Sequence, residues 1–166
     1  MAIASTDIKY YHPLTTAEGA AHGGGINTAD EILTTLHDKF DAVSGDEAVA
    51  GAHNFRKAFA MLGAGAGASV LSTPVLWMTT TEGTTAERIY FTTGTVDKRS
   101  DWPNTDITHI STAWTRATVK TDGISLANWS SGSANAVGIW ECRVVDAGCG
   151  SVATDRIDFT LEGDTA

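Results

Sequence analysis

Gly63-Ala64-Gly65-Ala66-Gly67-Ala68 carries the spacing G-x-G-x-x-A, the letter of a dinucleotide-binding fingerprint. Those glycines serve a pyrophosphate only when a helix N-terminus follows to receive it. Here Pro74 and the β-prone Val75-Leu76-Trp77 follow, so the segment is expected as a flexible strand connection and no cofactor is assigned. The five histidines, His12, His22, His37, His53 and His109, are scattered. None forms the H-x-x-x-H pair that sets two imidazoles on one helix face, so no metal site is expected. Asp97, Asp101 and Asp106 gather around Trp102 without the D-x-[DN]-x-[DN]-G frame of a calcium loop. No G-x-S-x-G elbow occurs, although a triad assembled in space leaves no such mark. Catalysis is therefore not expected. Cys142 and Cys149 are too few for a disulfide framework and are expected as free thiols.

The elements that would position these residues read mainly as strands. Seventeen glycines, three prolines, five tryptophans and a threonine share of about a seventh favour β-structure. The spacing predicts strands over 5–11, 55–62, 70–80, 88–93, 110–119, 136–145 and 156–162, with loops over 17–25 and 94–104. Pro74 calls for an edge or a bulge if its strand includes it. The one helix signal is Thr28 with Glu31, an S/T-x-x-E box ahead of Ile32, Leu36, Phe40 and Val43, with an end near Ser44-Gly45. Phe59, Trp77, Phe91, Trp140, Ile157, Phe159 and Leu161 are the expected core, because they are the large apolar residues of the alternating segments. Trp102 and Trp129 fall in turn-like segments. A tryptophan there is more often a local lid than a ligand platform, but these two are the residues to test for partner contact.

With 166 residues, one β-sandwich domain over 1–166 is expected, residues 1–25 forming an extended arm and loop. Eleven basic against twenty acidic residues leave a formal charge of -9, which argues against unassisted binding to nucleic acid or anionic lipid. No run approaches the ~18 apolar residues of a membrane helix. The start, MAIASTDIKYYHP, has neither a basic region nor an apolar core, so synthesis in a cytoplasm is expected.

Five stretches carry a resemblance. Phe40-Asp41-Ala42-Val43-Ser44-Gly45-Asp46-Glu47-Ala48-Val49-Ala50-Gly51, followed by Phe55-Arg56, resembles the F-D-x-V-[ST]-G-D-E-A-x-A-G-x-x-x-[YF]-R signature of a family of small tailed-bacteriophage structural proteins. Gly123-Ile124-Ser125-Leu126, Gly138 to Arg143 and Asp158 to Thr165 are similar to its G-L-S-L, x-W-I-R-R and F-T-L-x-V-E-G-D-T patterns, and Ser5 to Tyr10 to its start. The chain departs from the pattern at Cys142, Cys149 and the alanine-glycine loop.

The resemblance implies a virion component without enzymatic chemistry, an immunoglobulin-like or jelly-roll sandwich. Its implied role is decorating the capsid or forming the collar at the head-tail neck, among major capsid, portal or neck proteins and copies of itself. A tail or host-recognition module, touching a receptor or glycan through Trp102 and Trp129, is the alternative. Within the signature, Phe40, Gly45, Asp46, Glu47, Gly51 and Arg56 are expected to be structural. Ser44 to Glu47 should form a turn that uses the freedom of Gly45 and an oxygen of Ser44 or Asp46 on backbone amides.

Overall fold

A computed structural model describes residues 3–17, 19–32, 40, 43–63, 65, 69–79, 87–94, 97–99, 114–149 and 158–165. These residues form two antiparallel sheets and one short helix. Strand β1 is Ile8–Thr15, β2 Gly23–Glu31, β3 Ala52–Leu62, β4 Val70–Met78, β5 Glu87–Thr93, β6 Ile124–Ser125, β7 Trp129–Ser130, β8 Val137–Val145 and β9 Phe159–Thr165; helix α1 is Gly45–Ala50. The larger sheet runs β2-β1-β3-β8-β5. In the smaller one, β4 pairs with β6 and β7 on one path and with β9 besides.

The two sheets share a core. Leu62, Ile89, Phe91 and Ile139 from the larger sheet cluster with Leu71, Leu76, Met78, Trp129 and Leu161 from the smaller. Phe91 meets Phe159 edge-on at 5.2 Å between ring centroids. Of the expected core, Phe59, Trp77, Phe91, Trp140 and Leu161 are buried, and Phe159 is half-buried against the cluster. Ile157 lies outside the described residues.

The period-two reading of residues 55–62 is right about the strand, but both of its faces are covered. Even-numbered Ala58, Ala60 and Leu62 turn to one side, Phe55, Lys57 and Phe59 to the other, and all six are buried. Partner β8 behaves likewise, with Ile139 in the shared core while Trp140, Cys142 and Val144 join Phe55 in a second cluster. The larger sheet is thus covered on its outer face as well.

Three expectations are corrected. Thr28 and Glu31 do not begin a helix: both lie in β2, paired to β1 at Tyr11↔Glu31 and Pro13↔Ile26. The Glu31 carboxylate bonds Lys9 Nζ on the neighbouring strand at 2.9 Å instead of turning back on its own backbone, so strand pairing overrides the local capping signal. Residues 33–39, 41 and 42 lie outside the described residues. Gly23 to Gly25, expected as loop, open β2. The strand expected over 110–119 is reduced, within its described part, to a single bridge between Thr115 and Phe91.

Pro74 sits at a bulge. The β4–β9 register shifts between Ser72 and Val75, and Thr73 takes φ 48. A residue without an N–H is tolerated inside a doubly paired strand where the ladder is already interrupted.

Candidate functional site

The signature residues converge on one end of β3 and β8, closed by α1. Ser44 is the N-cap of α1: its Oγ accepts the Glu47 N–H at 3.2 Å, and Glu47 Oε2 accepts the Ser44 N–H at 2.8 Å. This reciprocal capping box satisfies two amides that a helix start leaves unpaired. The expected turn is therefore a helix start, and the oxygen is that of Ser44; Asp46 stands exposed in the first turn. Gly45 needs no special freedom, since a Cβ there would meet nothing within 4 Å and its φ is not positive. Gly51 does. It closes the helix at φ +80, and a Cβ would press on the Val145 carbonyl at 3.0 Å.

From the cap, a polar chain crosses the sheet. Glu47 Oε1 accepts from Asn54 Nδ2 at 3.0 Å, and Asn54 Oδ1 accepts from Arg143 Nε and Nη2 at 3.2 and 3.0 Å. Arg143 Nη2 lies 3.9 Å from Glu47 Oε1. The backbone bond from Ser44, before the bonds from Asn54 and the charge of Arg143, holds the Glu47 carboxyl below its usual range. Phe40 takes two guanidiniums against its ring, Arg56 at 5.5 Å and Arg143 at 5.2 Å from the centroid. Phe40, Glu47, Gly51 and Arg56 are thus brought together as parts of one brace.

Arg143 and Asn54, which complete the brace, carried no assigned role in the sequence. Their signal was present as register. Asn54↔Arg143 and Arg56↔Glu141 are facing pairs, so one side of the β3–β8 ladder carries four polar residues in succession.

The outer face of the larger sheet holds a second polar assembly under cover. Continuing the β1–β3 register past Tyr11↔Phe59 would set Pro13 opposite Lys57, but β1 leaves β3 there and pairs with β2. His22, 2% exposed, fills the gap: its Nε2 lies 2.8 Å from the Lys57 backbone nitrogen and its Nδ1 3.2 Å from the Thr16 carbonyl. Lys57 Nζ is buried between the Gly24 and Asp97 carbonyls, each at 3.1 Å, over the rings of Phe59 and Trp140. The Asp97 carboxylate stands 3.9 Å away. Segment 97–99 pairs with β2 through Gly24 N–H to Asp97 O and Arg99 N–H to His22 O. Arg99 lies 4.0 Å over the Phe55 ring. Burial pushes the Cys142 thiol beneath this cover up to about 12, against the smaller opposing pull of Arg99.

Trp129 is corrected as a contact candidate. It is 3% exposed, belongs to the shared core and donates Nε1–H to the Asn135 carbonyl at 2.6 Å. A tryptophan with its N–H satisfied inside is an anchor. Trp102 lies outside the described residues, as do Asp101 and Asp106. Cys142 and Cys149 are both free. Among the described residues no group of three or more metal-ligating side chains occurs, and no helix is long and apolar enough to cross a membrane. Comparison with family models, curated proteins and solved structures gives no match to this chain.

Proposed function

We propose that the chain is a non-enzymatic structural component of a tailed-phage particle, an accessory that decorates the capsid or forms the collar at the head-tail neck. Its sandwich is of the immunoglobulin-like or jelly-roll type. It works against major capsid, portal or neck proteins and further copies of itself, in a virion assembled in the host bacterial cytoplasm.

The observation that carries this reading is the use made of the signature residues. Ser44, Glu47 and Gly51 start and stop α1, while Phe40, Arg56 and Arg143 stack across the β3–β8 end. The resembling motif is spent on holding two strands and a helix together, which is what a particle accessory needs from its most specific stretch. An acidic chain also suits a particle exterior, where basic surface would collect stray nucleic acid.

Quantitative mass spectrometry of gradient-purified particles, from the phage that encodes the chain, tests this. The chain should be present at a fixed ratio to the major capsid or portal protein, reproducible between preparations. Its loss from particles on purification, with the bulk recovered in the soluble lysate, would overturn the proposal.

A further inference from the structure

Leu71 and Leu76 stand five apart on β4, a spacing that in an unbroken strand sets side chains on opposite faces. Both are buried in the shared core. The register explains how. Leu71 faces Thr165 and Leu76 faces Leu161, positions four apart on β9, so β4 holds one residue more than β9 between the two pairs. The other flank of β4 is in step with it, since Leu71 faces Trp129 and Leu76 faces Ile124. The bulge at Thr73-Pro74 is thus a phase shifter that lets Leu71, Trp129 and Leu161 share one core.

The cost falls on Thr73. At φ 48 it is the one non-glycine residue with a positive φ among the described residues, and a β-branched side chain is crowded there against its own backbone. Two side chains hold it. Asn128 Oδ1 accepts the Thr73 N–H at 3.1 Å on one flank, and on the other the Thr73 hydroxyl donates to Asp164 Oδ2 of β9 at 3.4 Å. Its neighbours are gripped from the same two sides. The Pro74 carbonyl accepts the Leu126 N–H at 2.8 Å, and Gly163 of β9 lies so close that a Cβ would meet the Ser72 carbonyl at 2.7 Å and Pro74 Cα at 3.0 Å. Thr73 is therefore the point at which the end of β9 and the segment leading into β7 meet.

We propose that Thr73 is a strained catch that couples the end of β9 to the Trp129 anchor, so that residues 163–165 and 126–130 open and close as one unit. With both holders in place the left-handed backbone is kept, and the core receives Leu71 and Trp129. Once Asp164 lets go, Thr73 relaxes toward an ordinary φ and the bulge loses its shape. The bonds from Asn128 and Leu126 on the far flank then weaken with it. A movement at the end of β9 is in this way felt at an indole on the other side of β4.

Hydrogen exchange followed by NMR on the full chain tests the coupling. The readouts are the Leu126 N–H and the Trp129 Nε1–H, which donates to the Asn135 carbonyl, with amides of the β3–β8 ladder as reference. Asp164→Ala, confined to an exposed side chain of β9, should speed both protons by the same factor and leave the reference unchanged. The factor should be about two- to fivefold, the effect of losing one weak hydrogen bond. Adding Thr73→Gly to Asp164→Ala should bring both rates back toward the parent, because glycine takes a positive φ freely. A role limited to the hydroxyl bond gives no such rescue, since glycine restores no hydroxyl. The proposal is overturned if Asp164→Ala leaves both protons unchanged, moves one without the other, or speeds the ladder amides equally. It is also overturned if the double variant exchanges as fast as Asp164→Ala or faster.

Discussion

Trp140 and Asp46 mark the two extremes of what a single side chain does in this molecule. Trp140 is fully buried on the outer face of the larger sheet, edge-on to His22 and beneath the Lys57 ammonium. Trp140→Ala should lower stability by about 3 to 5 kcal/mol, the range for truncating a buried aromatic. Denaturant unfolding measures it, and an unchanged midpoint would refute the placement. Asp46, exposed in the first turn of α1, makes its contribution only through proximity to a helix start. Asp46→Asn should stay within about 0.5 kcal/mol of the parent in the same experiment, as surface changes do. A larger loss would mean that Asp46 has a partner the brace does not explain. The adjacent Ser44 and Glu47 hold the opposite position, since each closes half of the capping box.

Helix α1 is six residues long, too short to persist on propensity, so its cap and its docking must hold it. Ser44→Ala should cost about 1 kcal/mol, the usual loss for an N-cap. Acid acts on the same device. Because Glu47 is held below its usual range in the folded chain, its contribution is present above the unfolded value of 4.5 and is lost as the pH falls through the lower folded value. Glu47→Gln should flatten that part of the acid limb in urea midpoints measured against pH; an acid limb identical to the parent's would contradict the role. Much of this element level was legible in the sequence. Strands β3, β5 and β9 follow from alternation and β4 and β8 from their apolar residues, and an oxygen of Ser44 or Asp46 on a backbone amide follows from the turn chemistry of Ser44 to Glu47, Ser44 being the one that caps. The stronger-looking box at Thr28 and Glu31 failed because Glu31 reaches Lys9 on β1, and local pattern carries no record of a strand twenty residues away. The brace partners Asn54 and Arg143 stayed hidden for the same reason, since they meet through register between strands far apart in the chain. Trp129 misled because a turn-like neighbourhood says nothing about which way an indole points.

At the scale of the molecule, two buried ionisable groups of the larger sheet act on its stability in alkali. Burial pushes Cys142 from 9.0 up to about 12, and burial, then the Glu141 charge, pushes Tyr10 from 10.0 to about 12. The fold keeps both protons longer than the unfolded chain does, so stability should hold below about pH 9 and decline as the pH rises from there toward 12. Cys142→Ala combined with Tyr10→Phe should flatten that decline, and an unaltered slope of the urea midpoint against pH would assign it elsewhere. The same two-sheet body ends its larger sheet in β2 and β5, each partly capped, β2 by segment 97–99 and β5 by Thr115, and the proposed particle role would rest on many modest contacts repeated by symmetry. Cryo-electron microscopy of intact particles tests that role most directly. The account predicts density that fits the β3–β8 ladder with α1 at its end, on the capsid surface or at the neck, in a copy number set by the local symmetry. Particles reconstructed at side-chain detail, with every shell, neck and tail density assigned to other chains, would contradict it.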